Sequence, residues 1–229
     1  LKNIIVNYIE EKNEKTEYII LAIAYTFIVK FIDVQAIGPE DSSVGLASFN
    51  NMIFNIFGVN MNLYKFTNII GVIPVLIVFA YFVIGLVQVI QRKNVLKVDK
   101  ELLVLGIFYI VTIIIYFIFE FLVINYRPIL MDGELDPSYP SSHTMLAIFI
   151  CISSVILNKS TFGEIKILKI VNVISIITMI CIVIGRWVSG VHWTTDIMGG
   201  IIFAVALIMS YYTVITSICS RRNDEIKNN

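Results

Sequence analysis

Long apolar runs separated by short polar connections set the pattern of this chain. Hydrophobic stretches fall at about 18–37, 68–90, 101–125, 141–158, 168–186 and 193–217. Each is close to or beyond the roughly 20 helical residues that cross a hydrocarbon core about 30 Å thick. The pattern predicts an all-α polytopic membrane protein: one domain over 1–229, six transmembrane helices, and both termini on the same side. Residues 1–17 alternate Lys and Glu and read as a solvated lead-in or interfacial helix. They lack a cleavable signal pattern, so the first run is expected to stay as an anchor. Neither an internal repeat of the transporter kind nor a low-complexity tract is present.

Between the first two runs, Pro39-Glu40-Asp41-Ser42-Ser43 leads into an amphipathic piece that reaches about Gly58. On a helical wheel Leu46, Phe49, Met52, Ile53, Ile56 and Phe57 share one arc, and Ser48, Asn50, Asn51 and Asn55 gather opposite. This predicts an interfacial helix in the first external loop. It would either fence a lateral entrance for a lipid or pack on its neighbours, and packing is the favoured role.

Composition agrees with the pattern, because 58% of residues are hydrophobic and only 15% are charged, against about 25% charged in soluble domains. A net charge of zero says little; the placement of the charges says more. Lys2, Lys12, Lys15, Arg92, Lys93, Lys97, Lys100, Lys159, Lys166, Lys169, Arg221, Arg222 and Lys227 all fall on one side of a six-span layout. The other side holds Lys65, Arg127 and Arg186. Basic connections face the cytoplasm, so both termini are expected to be cytoplasmic in a plasma-membrane protein. Cys151, Cys181 and Cys219 lie in or at the ends of apolar runs without CxxC spacing and read as small hydrophobes. Lys30 and Asp33, three apart, suggest a local ion pair, and Trp187 and Trp193 suggest interface anchors.

The chain has two histidines, and each stands in a polar cluster: Tyr139-Pro140-Ser141-Ser142-His143 and Gly185-Arg186-Trp187-Val188-Ser189-Gly190-Val191-His192-Trp193-Thr194-Thr195-Asp196. Span parity puts both, with Arg127, on the external face. Two arginines outside the membrane core can cradle a tetrahedral oxyanion. Ser141 and Ser142, just before a helix, add hydroxyls and N-terminal amides. Asp196, four residues after His192, shares a helix face with it and can orient the imidazole and stabilise its cation. That suits a nucleophilic histidine, and His143 is then free to act as an acid. Flanking arginines would repel a metal cation and favour an anionic substrate.

Arg127-Pro128, Pro140-Ser141-Ser142-His143 and Arg186-x5-His192-x3-Asp196 resemble the three signature motifs of the type-2 phosphatidic acid phosphatase family of integral-membrane lipid phosphatases. The resemblance implies that His192 forms a phosphohistidine, Asp196 orients it, and His143 protonates the leaving group and then activates water. It implies that Arg127, Arg186 and Ser141 hold the non-bridging oxygens, with Ser142 beside them. No cofactor is implied. The implied partners are a lipid phosphate and the bilayer, with no nucleic acid.

Three positions depart from the family's motifs. Glu120 stands where the family usually has lysine, Gly185 where it has serine, and Ser142 where it has glycine. An intramembrane carboxylate calls for a partner or water. If the third helix continued to Arg127, Glu120 would share its face about 10 Å away, and Lys30, Lys65 and Arg127 are the candidate partners; alternatively Glu120 reshapes the headgroup pocket. The acidic Asp132, Glu134 and Asp136 read as a solvated loop beside the site. The expected activity is removal of phosphate from polyprenyl diphosphate, phosphatidic acid or phosphatidylglycerol phosphate at the external leaflet, with the first favoured. A headgroup phosphotransferase and a non-catalytic lipid-binding protein are the alternatives.

Overall fold

The computed structural model describes the backbone of residues 2–163 and 165–227, and side chains over 16–163 and 165–222. The side chains of Lys2, Lys12, Lys15 and Lys227, invoked above for orientation, lie outside the described residues. The helices are α1 (Lys2–Phe31), α2 (Ala47–Phe57), α3 (Met61–Ile70), α4 (Val72–Arg92), α5 (Lys100–Leu122), α6 (Ser142–Leu157), α7 (Lys166–Val188) and α8 (Thr194–Lys227). A two-residue antiparallel pair, β1 (Gln35–Ala36) with β2 (Ser43–Val44), closes the α1–α2 connection.

Helix α6 sits at the centre, packed against α7 and α8, and α1 and α5 also lie on α8. Met145 and Phe149 of α6 meet Leu105 of α5, Tyr81 of α4, and Leu207, Tyr211 and Ile215 of α8 in one buried cluster. Edge-on aromatic contacts tie Phe149 to Tyr109 and Tyr211 at centroid distances of 5.8 and 6.2 Å. The outer faces of α4, α5 and α7 carry exposed Val75, Phe79, Phe82, Phe121 and Ile177. Apolar faces turned outward are stable against lipid rather than water, and helices satisfy their own backbone there. Five segments among the described residues are long and apolar enough to cross a membrane: Met61–Arg92, Lys100–Leu122, Ser142–Phe162, Lys166–Val188 and Thr194–Arg222. The described part of α1 has no charged residue between Glu17 and Lys30 and runs beside α8, as expected of a sixth.

The ends of the bundle differ in chemistry. At one, Arg222 pairs with Glu101 Oε1 at 2.7 Å and donates to the Ser160 carbonyl at 3.3 Å, and Arg92 pairs with Asp99 at 2.8 Å. The basic connections thus meet there. The opposite end gathers the α1–α2, α5–α6 and α7–α8 connections and holds both histidines.

Several expected boundaries move. The first run ends at Phe31, not 37, because Asp33 turns the chain at a φ of 47° and its carboxylate accepts from Ser48 N at 2.7 Å. Asp33 is therefore no partner for Lys30, whose Nζ donates to the Val123 carbonyl at 3.0 Å. The second run divides into α3 and α4 at Gly71, where Pro74 has no amide hydrogen to continue a single helix. Helix α5 stops at Leu122, so Glu120 and Arg127 are not on one helix face. Helix α2 turns Phe49, Met52 and Ile56 outward, while buried Asn50 faces the protein. Phe54 and Phe57 of α2 lie against Trp193 and Trp187 at 5.4 and 5.3 Å, so the helix packs on its neighbours while part of its apolar arc is left outward for the interface plane.

Candidate active site

The α7–α8 turn presents His192. Gly190 in that turn has a φ of 65°, and a Cβ there would lie 1.8 Å from the Gly58 carbonyl oxygen, so only glycine is accommodated. Asp196, in the first turn of α8, accepts from the Trp193 amide through Oδ2 at 2.9 Å, the backward arm of a capping box. Its Oδ1 accepts from Asn125 Nδ2 at 3.2 Å. The same Oδ2 stands 3.7 Å from His192 Nδ1, beyond hydrogen-bond length.

Arg127 Nη1 lies 3.0 Å from His192 Nε2. A guanidinium only donates, so Nε2 must accept and the ring proton sits on Nδ1, toward Asp196. Nε2 is therefore the nitrogen with a lone pair to give. Burial, with the charges of Arg127 and then Arg186 added, holds the His192 imidazole well below its usual 6.5. The ring is neutral near pH 7, as a nucleophile must be.

Arg127 stands on a folded loop rather than a helix. Isolated bridges Tyr126–Pro137 and Met131–Glu134 shape the segment, and Arg127 Nε donates to Asp136 Oδ2 at 2.6 Å. Asp136, expected to be a solvated loop residue, is thus the guanidinium's anchor. Arg186 is fully buried in the last turn of α7. Its Nη2 donates to Asn68 Oδ1, and its Cζ lies 4.5 Å from the centroid of the Tyr64 ring. Its Nε and Nη1 are buried and make no hydrogen bond. Gly185 fits α3 against α7 here, because a Cβ would meet Thr67 Cγ2 at 2.4 Å. Serine could not stand there without moving α3.

Helix α6 begins at Ser142, and its first amides have no intrahelical partners. Ser142 lines a small cleft with Glu120, Arg127, Ser138, Tyr139 and His192. Ser141 does not: it is buried, its hydroxyl donates to Thr144 Oγ1 at 3.1 Å and its amide to the Asp196 carbonyl at 2.9 Å. Without a substrate, the Ser141 hydroxyl and amide are thus both engaged within the protein. His143 Nδ1 is buried without a partner. His143 lines an adjoining groove of about 300 Å3 with Ser142, Tyr116, Leu146, Ile150 and Ile182, and its apolar walls suit an acyl chain. Tyr116 and Ser142 belong to both spaces.

Sequence reasoning missed the residues that hold these groups. Asn125 bonds Asp196 and also accepts from Gly45 N at 3.0 Å. Asn50 of α2 donates to Thr195 Oγ1 at 2.8 Å and accepts from Thr195 N at 3.1 Å. Trp193 is buried, donates through Nε1 to the Tyr126 carbonyl at 2.8 Å and packs on Phe54 at 5.4 Å, so it is no interface anchor. A polar residue two before Arg127, and asparagines on the polar arc of α2, were the available signals.

These residues form a buried basic and imidazole cluster at one end of a helical membrane bundle. A family model described as the PAP2 superfamily matches residues 102–218, more than half of the 229, and the chain belongs to that superfamily. No curated protein matches the sequence closely enough to count as a relative. Among solved structures, the fold is similar to one described as the first transmembrane PAP2 type phosphatidylglycerolphosphate phosphatase from Bacillus subtilis. The match has a TM-score of 0.54 at 19% identity and covers 90% of this chain and 96% of that one. The likeness in fold therefore extends beyond the residues matched by the family model.

Proposed function

We propose that this protein is a membrane lipid phosphatase working through a phosphohistidine. The observation that carries the reading is the buried His192, with Arg127 Nη1 at 3.0 Å from its Nε2 and Asp196 behind its Nδ1 at 3.7 Å. A lipid phosphate draws the Arg127 guanidinium from the ring onto a non-bridging oxygen, which uncovers Nε2. The Nε2 lone pair forms the N–P bond as the P–O bond to the lipid breaks. Asp196 stabilises the resulting imidazolium. Arg127, the Nε and Nη1 of Arg186, and the first amides of α6 stabilise negative charge on the transferring group. His143 gives its proton to the departing oxygen; the phosphate's charge offsets the two guanidiniums and lets the ring hold that proton. In the second half His143 takes a proton from water, the oxygen attacks phosphorus, and the N–P bond breaks to free phosphate and His192.

The basic connections lie at the far end of the bundle, which supports a site at the external leaflet of the plasma membrane. Phosphatidylglycerol phosphate, phosphatidic acid and polyprenyl diphosphate form the assay panel. Purified protein in vesicles is expected to release phosphate from at least one of them, and His192→Ala to abolish it. With labelled phosphate, rapid acid-free denaturation should trap an acid-labile label in wild type and none in His192→Ala. Full turnover by His192→Ala refutes the mechanism. Headgroup exchange onto an added alcohol, without free phosphate, would instead make the protein a transferase using the same histidine.

A further inference from the structure

Glu120 is left without a cation. It stands in the last turn of α5, and none of its expected partners reaches it: Arg127 pairs with Asp136, Lys30 bonds the Val123 carbonyl, and among the described residues no ion pair includes Glu120. It nonetheless lines the cleft that holds Arg127, Ser142 and His192. Tyr116, one turn earlier on the same helix, interacts with the Glu120 carboxylate through its hydroxyl and lines this cleft and the apolar groove beside His143, so one lobe of the carboxylate has a neutral donor and no cation. Glu120 therefore stands near the point where a phosphate seated on Arg127 would meet the lipid entering through the groove.

The charges around the site sharpen what Glu120 can accept. Counted formally, Arg127 and Arg186 bring two positive charges, and Asp136, Asp196 and Glu120 bring three negative ones. A phosphate monoester adds more negative charge, and a diphosphate adds more again. A carboxylate at this wall repels such a group unless the substrate offers it a proton to accept, and hydrogen bonds to a charged acceptor are the strong ones.

We propose, building on the phosphatase reading, that Glu120 is a specificity-determining residue that accepts a hydrogen bond from the substrate's own headgroup. The substrate class is a lipid phosphomonoester carrying a hydroxyl or an ammonium on the carbon next to the phosphate-bearing one. Phosphatidic acid, whose neighbouring carbon bears an ester, has no such donor, and a polyprenyl diphosphate has only further phosphate oxygens. The site thus selects against the diphosphate favoured from sequence.

The test uses the full chain in vesicles and four probes. Phosphatidylglycerol phosphate supplies the hydroxyl, sphingosine phosphate the ammonium, and phosphatidic acid and polyprenyl diphosphate neither. Wild type is expected to favour one donor-bearing probe over phosphatidic acid by at least about tenfold in kcat/KM, the scale of a hydrogen bond to a charged group. Which of the two it favours identifies the donor. Glu120→Gln, nearly the same shape, is expected to cut that ratio about tenfold and raise phosphatidic acid turnover. Glu120→Lys should move preference to the diphosphate. The inference is overturned if wild type prefers phosphatidic acid or the diphosphate, or if both variants keep the wild-type ratio. Turnover of no probe by wild type removes the phosphatase reading itself. Turnover with unchanged selectivity in the variants removes only the role given to Glu120.

Discussion

Asn125 gives the sharpest test of how the proposed nucleophile, His192, is held. It is 1% exposed, its Nδ2 donates to Asp196 Oδ1 at 3.2 Å, and its Oδ1 accepts from Gly45 N at 3.0 Å. Asn125→Ala leaves a buried amide unpaired, at about 1–3 kcal/mol, and deprives Asp196 of one charged-group hydrogen bond, roughly 1.5–3 kcal/mol. Stability should fall by about 2–4 kcal/mol, the two losses being partly shared through the loop they join. Catalysis should also suffer, because a carboxylate that has lost the bond to its Oδ1 is held less firmly beside His192 Nδ1. Loss of about 1.4 kcal/mol of that orientation lowers kcat about tenfold. KM should change little, since Asn125 is not among the residues lining the cleft. Asn125→Asp keeps an acceptor for Gly45 but sets one carboxylate against another, so kcat should fall at least as far. The assay is phosphate release from vesicles at several substrate concentrations, with thermal unfolding of the same preparations. Folded Asn125→Ala with native kcat, or with a defect confined to KM, would refute the positioning role.

Other outcomes follow from the same geometry. His192 is held well below 6.5 in the folded protein, so as pH falls the unfolded chain takes up this proton first. The protein is unpenalised above that value and loses up to about 1.4 kcal/mol per pH unit below it. Thermal midpoints measured from pH 7.5 to 5 should thus fall more steeply for wild type than for His192→Gln, and equal slopes would contradict the burial argument. Gly185→Ser, which installs the family's usual residue, should destabilise by about 1–3 kcal/mol through overpacking on Thr67. Thr67→Ser should restore much of that loss in the double variant, and a strictly additive pair would count against the close α3–α7 approach. Asn68→Ala frees Arg186 Nη2 and should raise KM several-fold with folded protein retained; an unchanged KM would show that Arg186 does not bind the substrate.

What the sequence made legible follows from the range over which each signal acts. Hydropathy reports lipid contact residue by residue, so the long apolar helices emerged from pattern alone, and parity put His143, His192, Arg127 and Arg186 at one end. Boundaries failed where a local backbone feature decided them: a turn at Asp33, Pro74 near the start of the second run, and the end of α5 at Leu122. The support of the site was not legible because it joins segments distant in sequence. Asn50 meets Thr195, Asn125 meets Asp196, and Asn68 meets Arg186 across separations of 145, 71 and 118 residues, and no periodicity records such pairs. Glu120 combines both cases. Its oddity was visible because a carboxylate in an apolar run is costly, and three cations were plausible partners by proximity in the span layout. Among the described residues the fold pairs none of them with Glu120, so the charge that resembled half of an ion pair instead lines the cleft that a substrate would enter.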